Sequence, residues 1–225
     1  MTGNAQKGLA MQKKRLKIKI CGMVDPQNIC EIAGVQPDFM GFIFYPGSPR
    51  FFRSEKLHLA DTGIQKVGVF VNESDDSICH TVHQFGLHYA QLHGQESPDL
   101  CMRLKKSGIR IIKAFSLHPH FSWETVTSYQ EVCEYFLFDT PGKLPGGNGH
   151  SFDWGVLNKY PGQVPFFLSG GIGIHNVDCA LKLENPFLTG IDINSRVELS
   201  PGIKQVSAVK KVMMALSHHH NQGER

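Results

Sequence analysis

Short apolar runs separated by amphipathic segments recur along the whole chain. Apolar runs of this length are typical of strands in a parallel sheet, and the segments between them have helical spacing. Several of these segments begin with Ser or Asp, which cap helices, or carry proline in the first turn. The pattern predicts eight strands, at 17–21, 38–44, 66–71, 89–93, 110–115, 135–139, 165–170 and 188–193, and helices at 25–35, 75–85, 97–107, 174–183 and 202–216.

The alternation of strand and helix limits the choice of fold. Eight βα units in about 200 residues predict an α/β protein, a single (β/α)8 TIM barrel. An open doubly wound sheet is the alternative, but it usually carries a G-x-G-x-x-G loop after its first strand, and CGMVDP at 21–26 is not one. We expect the barrel to occupy residues 17–217, between a flexible N-terminal tail at 1–16 and a flexible C-terminal tail at 218–225.

Composition narrows the class of protein. The net charge is only +3, so no basic face for nucleic acid is expected, and no apolar run reaches the length of a membrane span or signal peptide. The six cysteines are scattered singly, which indicates reduced thiols and a cytoplasmic location. The expected partner is a small molecule, and the protein is expected to be a monomer or homodimer.

Four predicted strands end in reactive or polar side chains: Cys21, His93, Asp139 and Asp192. In a barrel these strand ends meet at one rim, where active sites of this fold lie. Each residue alone is more often structural, because a lone cysteine usually packs as a small hydrophobe and a strand-end aspartate usually caps a loop. Together, a thiol and a carboxylic acid can form an acid–base pair if their surroundings shift their pKa values in opposite directions.

Lys19 lies two residues before Cys21 and therefore on the same face of the first strand. Its ammonium group is a candidate for stabilising a thiolate at Cys21. The alternative is that Lys19 caps the floor of the barrel.

The last two strands are followed by the segments SGGIG (169–173) and DINSRVE (192–198). Glycine lets the backbone approach a ligand, and clustered N–H donors favour an anion, so these loops suit a phosphate. The alternative is two ordinary βα turns. The residues predicted to bind phosphate are Gly170, Gly171, Asn194 and Ser195.

Two further loops are candidates for substrate contact. FYPGSPRFF at 44–52 projects Arg50, whose guanidinium could bind a carboxylate in two-pronged fashion or could be a solvated surface charge. The Gly- and Pro-rich segment between Asp139 and Trp154 is long for a βα connection and is expected to be a mobile lid or a surface turn. The histidines at 218–220 lack a second set of ligands, and no metal or cofactor is predicted.

In order along the chain, eight motifs resemble those of the phosphoribosylanthranilate isomerase family of tryptophan biosynthesis. The resemblance spans residues 17–216. The motifs are KICGMVDPQN, GFIFYPGSPR, VGVFVNE, QLHGQES, LFDT, GGNGHSFDW, LSGGIGIHNV and IDINSRVE.

The resemblance implies an Amadori rearrangement of a phosphorylated aminosugar that carries anthranilate, with Cys21 as general base and Asp139 as general acid. It further implies that Arg50 holds the anthranilate carboxylate, that His93 lines the pocket and that Asp192 lies beside the sugar. By the same resemblance, the phosphate would be bound around Gly170, Gly171, Asn194 and Ser195, without a cofactor.

This chain departs from the family pattern at two positions. Gly47 replaces a lysine common in the loop before Arg50, which concerns the chemistry of that loop. Arg196 replaces a common glycine after the Asn-Ser pair and could supply an extra cation to the phosphate loop.

Two alternative functions follow from the same motifs. A histidine-pathway aminoaldose isomerase catalyses a similar reaction but uses two aspartates, and Cys21 argues against it. A catalytically silent barrel that only binds a phosphorylated ligand is the second alternative.

Overall fold

The computed structural model describes residues 15–57, 59, 62–118, 120–139 and 154–222. The loop between Asp139 and Trp154 and most of the expected N-terminal tail lie outside the described residues. None of the helices in the described part of the chain has both the length and the apolar composition that a membrane crossing requires.

Eight parallel strands close into one barrel, in sequence order, with β1 paired to β8. The predicted TIM barrel is therefore confirmed, and the strand boundaries agree with the prediction to within about one residue. The strands are β1 (Lys17–Ile20), β2 (Phe39–Ile43), β3 (Gln65–Phe70), β4 (Tyr89–Leu92), β5 (Arg110–Ser116), β6 (Tyr135–Asp139), β7 (Phe166–Ser169) and β8 (Leu188–Ile193).

The helices follow most strands and are capped as the sequence suggests. The side chains of Asp25, Ser74 and Ser97 each accept a hydrogen bond from a backbone N–H group in the first turn of the helix that follows. The helices are α1 (Pro26–Ala33), α2 (Asp75–Phe85), α3 (Pro98–Lys106), α4 (Glu124–Thr127), α5 (Val177–Leu181) and α6 (Val206–Gln222), with 3-10 helices at Trp154–Lys159 and Ser195–Val197.

The structure differs from the predicted helix pattern between β2 and β3 and at both ends of the last helix, among other places. The described residues between β2 and β3 contain no helix, so strand and helix do not alternate there. The last helix begins at Val206 and not at residue 202, because residues 198–204 form a hairpin of β9 (Glu198–Ser200) and β10 (Ile203–Lys204). Gly202 turns this hairpin with φ 88°, a conformation that only glycine adopts easily. Helix α6 then continues to Gln222, beyond the expected end of the barrel domain.

The core has two parts. One packs the outer faces of the strands against the helices. The other fills the barrel interior at its N-terminal end, where aromatic rings meet edge to face; its members are Phe39, Val67, Tyr89, Ile112, Ala114, Tyr135, Leu137 and Phe167. Because this end is filled by side chains, open space inside the barrel lies toward the C-terminal ends of the strands.

Candidate active site

A cavity of about 190 Å³ opens at the C-terminal ends of the strands. All of the predicted site residues except Arg50 line it. The lining residues are Cys21, Ile43, Val69, Gln91, His93, Asp139, Ser169, Gly170, Gly171, Asp192, Asn194 and Ser195. Strand ends that lie far apart in sequence meet here because the barrel closes, as the sequence analysis anticipated.

Cys21 follows β1 directly and is almost fully buried. Its backbone N–H donates to the carbonyl of Ile193 at 2.9 Å, which extends the pairing of β1 with β8. A side chain at Gly41 on β2 would place its Cβ 2.7 Å from the Cys21 Sγ, so a glycine is needed there to make room for the thiol.

Two charged side chains surround the thiol. Lys19 is fully buried, and its Nζ lies 2.7 Å from Oδ1 of Asp192. Burial opposes the charge of Lys19, but Asp192 and Cys21 outweigh it and raise the lysine pKa. Ser169 donates a hydrogen bond to the second oxygen of Asp192 at 3.2 Å. The contact with Asp192 places Lys19 beside the cavity and argues against a role at the barrel floor.

The pKa of Cys21 does not fall as expected from its cationic neighbour. Burial is the largest effect and raises the pKa of the thiol, while Lys19 and, more weakly, Lys204 act to lower it. The neutral thiol is therefore favoured, because burial and the neighbouring carboxylate of Asp192 together outweigh the two nearby ammonium groups.

Asp139 lies next to His93 in the wall of the cavity. His93 Nε2 lies 3.4 Å from Asp139 Oδ2, and the side chain of Asp139 is 33% exposed. The carboxyl group of Asp139 is thus only partly buried. On the other side of the imidazole, Nδ1 lies 3.2 Å from Nε2 of Gln91.

Gln91 is a site residue that the sequence analysis missed. Its side chain is 1% exposed, it lines the cavity, and no described residue donates a hydrogen bond to its Oε1. A signal was available, because Gln91 precedes His93 by two positions and therefore shares its strand face. A buried acceptor without a partner is costly in a folded protein and marks a place where a ligand can donate.

The predicted phosphate loops border the cavity as expected. Gly170 and Gly171 have φ values of 105° and 70°, a backbone conformation that residues other than glycine rarely adopt. Asn176 holds this loop, accepting from the N–H of Gly173 at 2.8 Å and donating to the carbonyl of Gly171 at 3.0 Å. The exposed side chain of Arg196 runs alongside, with its Nε 3.6 Å from the position that a Cβ of Gly171 would take.

Arg50 lies at the edge of the site and is held by Glu198. The Nε and Nη2 atoms of Arg50 donate to the Glu198 carboxylate at 2.8 and 2.6 Å. The Arg50 stem packs against Gly22, the residue after Cys21, since a Cβ there would lie 2.7 Å from Arg50 Cδ. Glu198 is a second residue that the sequence analysis missed.

Gly47, the first departure from the family pattern, lies under the ring of Tyr45. A Cβ at Gly47 would come within 2.8 Å of this ring. A lysine at position 47 would displace the tyrosine, so the glycine allows Tyr45 to cover this loop.

Within the described ranges, no three His, Cys, Asp or Glu side chains converge as a metal site requires. The described residues bring a thiol and a carboxyl group, which can transfer protons, to one cavity next to a loop suited to an anion.

Comparison with known proteins agrees with this geometry. The family profile described as N-(5'-phosphoribosyl)anthranilate (PRA) isomerase matches residues 18–215. N-(5'-phosphoribosyl)anthranilate isomerase of Phocaeicola vulgatus is 41% identical over 192 residues, which cover 85% of this chain and 93% of the relative. The enzyme of the same name from Parabacteroides distasonis is 39% identical over 206 residues, with 89% and 93% covered.

Solved structures give the same result. Phosphoribosyl anthranilate isomerase from Thermotoga maritima aligns with a TM-score of 0.79 at 30% identity, covering 90% of this chain and 99% of that one. A phosphoribosyl anthranilate isomerase in complex with reduced 1-(o-carboxyphenylamino)-1-deoxyribulose 5-phosphate aligns with a TM-score of 0.76 at 28% identity, with the same coverage. These findings do not favour the histidine-pathway enzyme or the silent barrel. The chain belongs to the N-(5'-phosphoribosyl)anthranilate isomerase family.

Proposed function

We propose that Cys21 is the general base and Asp139 the general acid of this isomerase of tryptophan biosynthesis. The substrate is N-(5'-phosphoribosyl)anthranilate, and the product is 1-(2-carboxyphenylamino)-1-deoxyribulose 5-phosphate. The observation that carries the assignment is that Cys21 and Asp139 line one cavity whose wall also includes the predicted phosphate loops.

The reaction needs two proton transfers at fixed positions. Asp139 donates a proton to the furanose ring oxygen, and the C1–O bond breaks as the anthranilate nitrogen forms a double bond to C1. The resulting protonated Schiff base makes the C2 proton acidic. Cys21, as a thiolate, takes this proton, and the electrons of the C2–H bond form the C1=C2 bond of an enolamine. Protonation of the enolamine at C1, together with loss of the proton from the C2 hydroxyl group, then gives the ketone at C2.

The thiolate form of Cys21 needs stabilisation, because burial favours the neutral thiol. Lys19 and Lys204 supply positive charge that lowers the pKa of Cys21 against this effect. Asp192 keeps Lys19 in place through their 2.7 Å contact. We therefore assign Lys19 a supporting role for the base.

The substrate is held at both ends in this proposal. The phosphate binds the backbone around Gly170 and Gly171 and the residues Asn194 and Ser195. The anthranilate carboxylate binds Arg50, which lies next to the catalytic cysteine beyond Gly22. His93 lines the pocket between them, and Asp192 lies beside the sugar. The related enzyme solved with a reduced product analogue supports a ligand of this shape.

The assignment is tested by the loss of anthranilate fluorescence when the purified protein meets substrate generated in the cuvette. We expect Cys21→Ala and Asp139→Asn each to lower kcat by about 100-fold or more, as for other acid–base groups. Unchanged melting temperatures would show that both variants fold. If the wild-type protein turns over the substrate and one of the variants retains full activity, the residue substituted in that variant has no part in the mechanism. Turnover of the histidine-pathway imidazole-carboxamide substrate in preference to the anthranilate substrate would overturn the substrate assignment.

Two further points stay predictions from the sequence. The protein is expected to be a monomer or a homodimer, and a related enzyme from Thermotoga maritima is described as dimeric. Light scattering of the purified protein measures this directly. The cytoplasm is the expected compartment, and all six cysteines are free.

A further inference from the structure

The guanidinium of Arg50 is bound along one edge by Glu198. Nε of Arg50 lies 2.8 and 3.1 Å from the two carboxylate oxygens, and Nη2 lies 2.6 Å from Oε2. The Glu198 side chain is only 5% exposed, and that of Arg50 is 20% exposed. Burial tends to raise the pKa of Glu198, but hydrogen bonds from Arg50 and Lys204 outweigh it and lower the pKa. Glu198 is therefore a carboxylate at neutral pH.

This contact leaves the other edge of the guanidinium for a ligand. A guanidinium carries five N–H donors in a flat fork, and a carboxylate can occupy either the Nε/Nη2 edge or the Nη1/Nη2 edge. Glu198 occupies the first edge. Within the described residues, no acceptor is bound to Nη1 of Arg50, so the second edge can bind a second carboxylate with two parallel hydrogen bonds.

Glu198 is itself fixed from behind. Its Oε1 accepts hydrogen bonds from Nζ of Lys204 at 2.6 Å and from the backbone N–H of Gly202 at 3.0 Å. The Lys204 side chain is fully buried. If Glu198 turned away from this place, the buried ammonium group would lose its charged partner, which is costly. The carboxylate is thus a rigid part of the β9–β10 hairpin.

The same lysine reaches the phosphate loop. Lys204 Nζ also donates to the side-chain oxygen of Asn194 at 2.6 Å. Arg50 and Asn194 both touch the space above Gly22, since a Cβ there would lie 2.7 Å from Arg50 Cδ and 2.8 Å from Asn194 Oδ1. One buried network therefore connects the proposed carboxylate-binding and phosphate-binding groups.

We infer that Glu198 is a positioning residue, which holds the Arg50 guanidinium so that its free edge binds the substrate carboxylate. The inference rests on the proposed role of Arg50. The competing possibility is that Glu198 occupies Arg50 in place of the substrate and must be displaced. The contacts from Lys204 and Gly202 argue against displacement, because they hold Glu198 independently of Arg50.

The test compares two probes by calorimetry: reduced 1-(o-carboxyphenylamino)-1-deoxyribulose 5-phosphate, and the same compound with an unsubstituted phenyl ring. In Glu198→Gln, at most one side-chain oxygen can accept from Arg50, so the two-pronged contact is lost. We expect the affinity for the carboxylate probe to fall about tenfold, and the affinity for the phenyl probe to change less than about twofold. The KM for substrate should rise with it, while kcat changes much less.

A matched control exists at the opposite end of the barrel. Glu134 binds Arg110 through a similar two-pronged contact, with Arg110 Nε 2.7 Å from Oε2 and Nη2 2.7 Å from Oε1. Glu134→Gln should leave both affinities unchanged. If Glu198→Gln does not fold, Glu198→Asp keeps the charge for Lys204 but shortens the reach to Arg50, and it should also lose affinity for the carboxylate probe.

The variant Arg50→Gln tests the proposed role of Arg50 separately from the role of Glu198. If it retains the preference for the carboxylate probe, the proposed role of Arg50 is wrong, and the role of Glu198 fails with it. If Arg50→Gln loses the preference, the role of Arg50 stands, and Glu198→Gln then tests the positioning role by itself. That role is wrong if Glu198→Gln keeps the preference for the carboxylate probe, loses affinity equally for both probes, or binds the carboxylate probe more tightly. Selective loss of the carboxylate probe in both variants is the result that supports the inference.

Discussion

The two ends of the barrel use charged side chains in opposite ways. At the N-terminal end, Arg110 and Glu134 are 47% and 38% exposed and form an ion pair next to the aromatic side chains that fill the barrel interior. The Arg110 guanidinium lies 4.0 Å from the ring centre of Tyr89. At the C-terminal end, Lys19 and Asp192 are 0% and 6% exposed and form a pair inside the barrel. The first pair is about half exposed to water, whereas the second pair is buried.

The difference separates an end that is filled for stability from the end where we propose that the chemistry takes place. A buried ion pair contributes little net stability, because desolvation of the two charges offsets their attraction. Filling the same space with apolar groups, as the N-terminal end does, is the stabilising solution. The C-terminal end therefore keeps its buried charges for their effect on neighbouring groups, here the thiol of Cys21.

The sharpest test of this difference uses two lysines on the same strand. Lys19→Met leaves the carboxylate of Asp192 buried without its cation, and we expect unfolding free energy to fall by about 3 kcal/mol. The same change should lower kcat about 100-fold, because the thiolate of Cys21 loses its nearest positive charge. Denaturant unfolding and the fluorescence assay measure these two effects.

Lys17→Met is the matched change at the other end. Lys17 Nζ donates to the hydroxyl of Tyr135 at 3.0 Å and lies over aromatic rings, with no contact to the site. We expect a loss of stability of less than about 1 kcal/mol and unchanged kcat. Similar loss of activity in both variants would contradict the division of roles between the two ends.

The second test concerns the protonation of Cys21. Burial raises its pKa, so the folded protein holds the thiol form at neutral pH and the thiolate fraction grows only above the ordinary cysteine value of about 8.5. We expect the alkylation rate of Cys21 by iodoacetamide, followed by mass spectrometry, to reach half its maximum above that pH. Lys19→Met should shift the midpoint further upward. A wild-type midpoint below about 8.5 would mean that Lys19 and Lys204 outweigh burial. The exposed residues Cys30 and Cys179 serve as internal standards for the reagent.

The smallest expected effect lies at the rim. Arg196 is exposed beside Gly171, within reach of the proposed phosphate site. Arg196→Gln should raise KM about threefold and make kcat/KM less sensitive to salt, because one partly screened cation is lost. Arg103→Gln removes the same charge from helix α3, where Arg103 binds Asp75, and should change neither quantity. Equal changes in both variants would attribute the effect to net charge.

The sequence predicted the barrel and the residues on its rim for a simple physical reason. Strand ends are readable from apolar patterning, and closure of the sheet brings them together, so Cys21, His93 and Asp139 could be placed without coordinates. Contacts that depend on the paths of the loops could not be predicted in this way. Arg50 and Glu198 are 148 positions apart, and the sequence placed residue 198 in a loop and residue 202 at the start of a helix, where the structure has a hairpin.

The pKa shift of Cys21 and the hydrogen bonding of Gln91 could not be predicted from the sequence either. The spacing of Lys19 and Cys21 gives a shared strand face, but it does not give the depth of burial that decides the pKa of the thiol. In the same way, the position of Gln91 on the strand face of His93 can be read from the sequence, whereas the lack of a donor to its Oε1 among the described residues depends on every side chain around it.

The pairing of β1 with β8 also has a consequence for the timing of folding. Lys19 and Asp192 are 173 positions apart, and Asn28 exchanges two hydrogen bonds with the backbone of Lys204 across 176 positions. Contacts between such distant segments form only after most of the chain is available. A nascent chain that has not yet emerged as far as β8 therefore holds Cys21 without the Lys19–Asp192 ion pair and without Asn194 and Ser195 of the proposed phosphate site. Catalytic activity in this protein thus reports that synthesis has passed residue 204 and that the ring has closed.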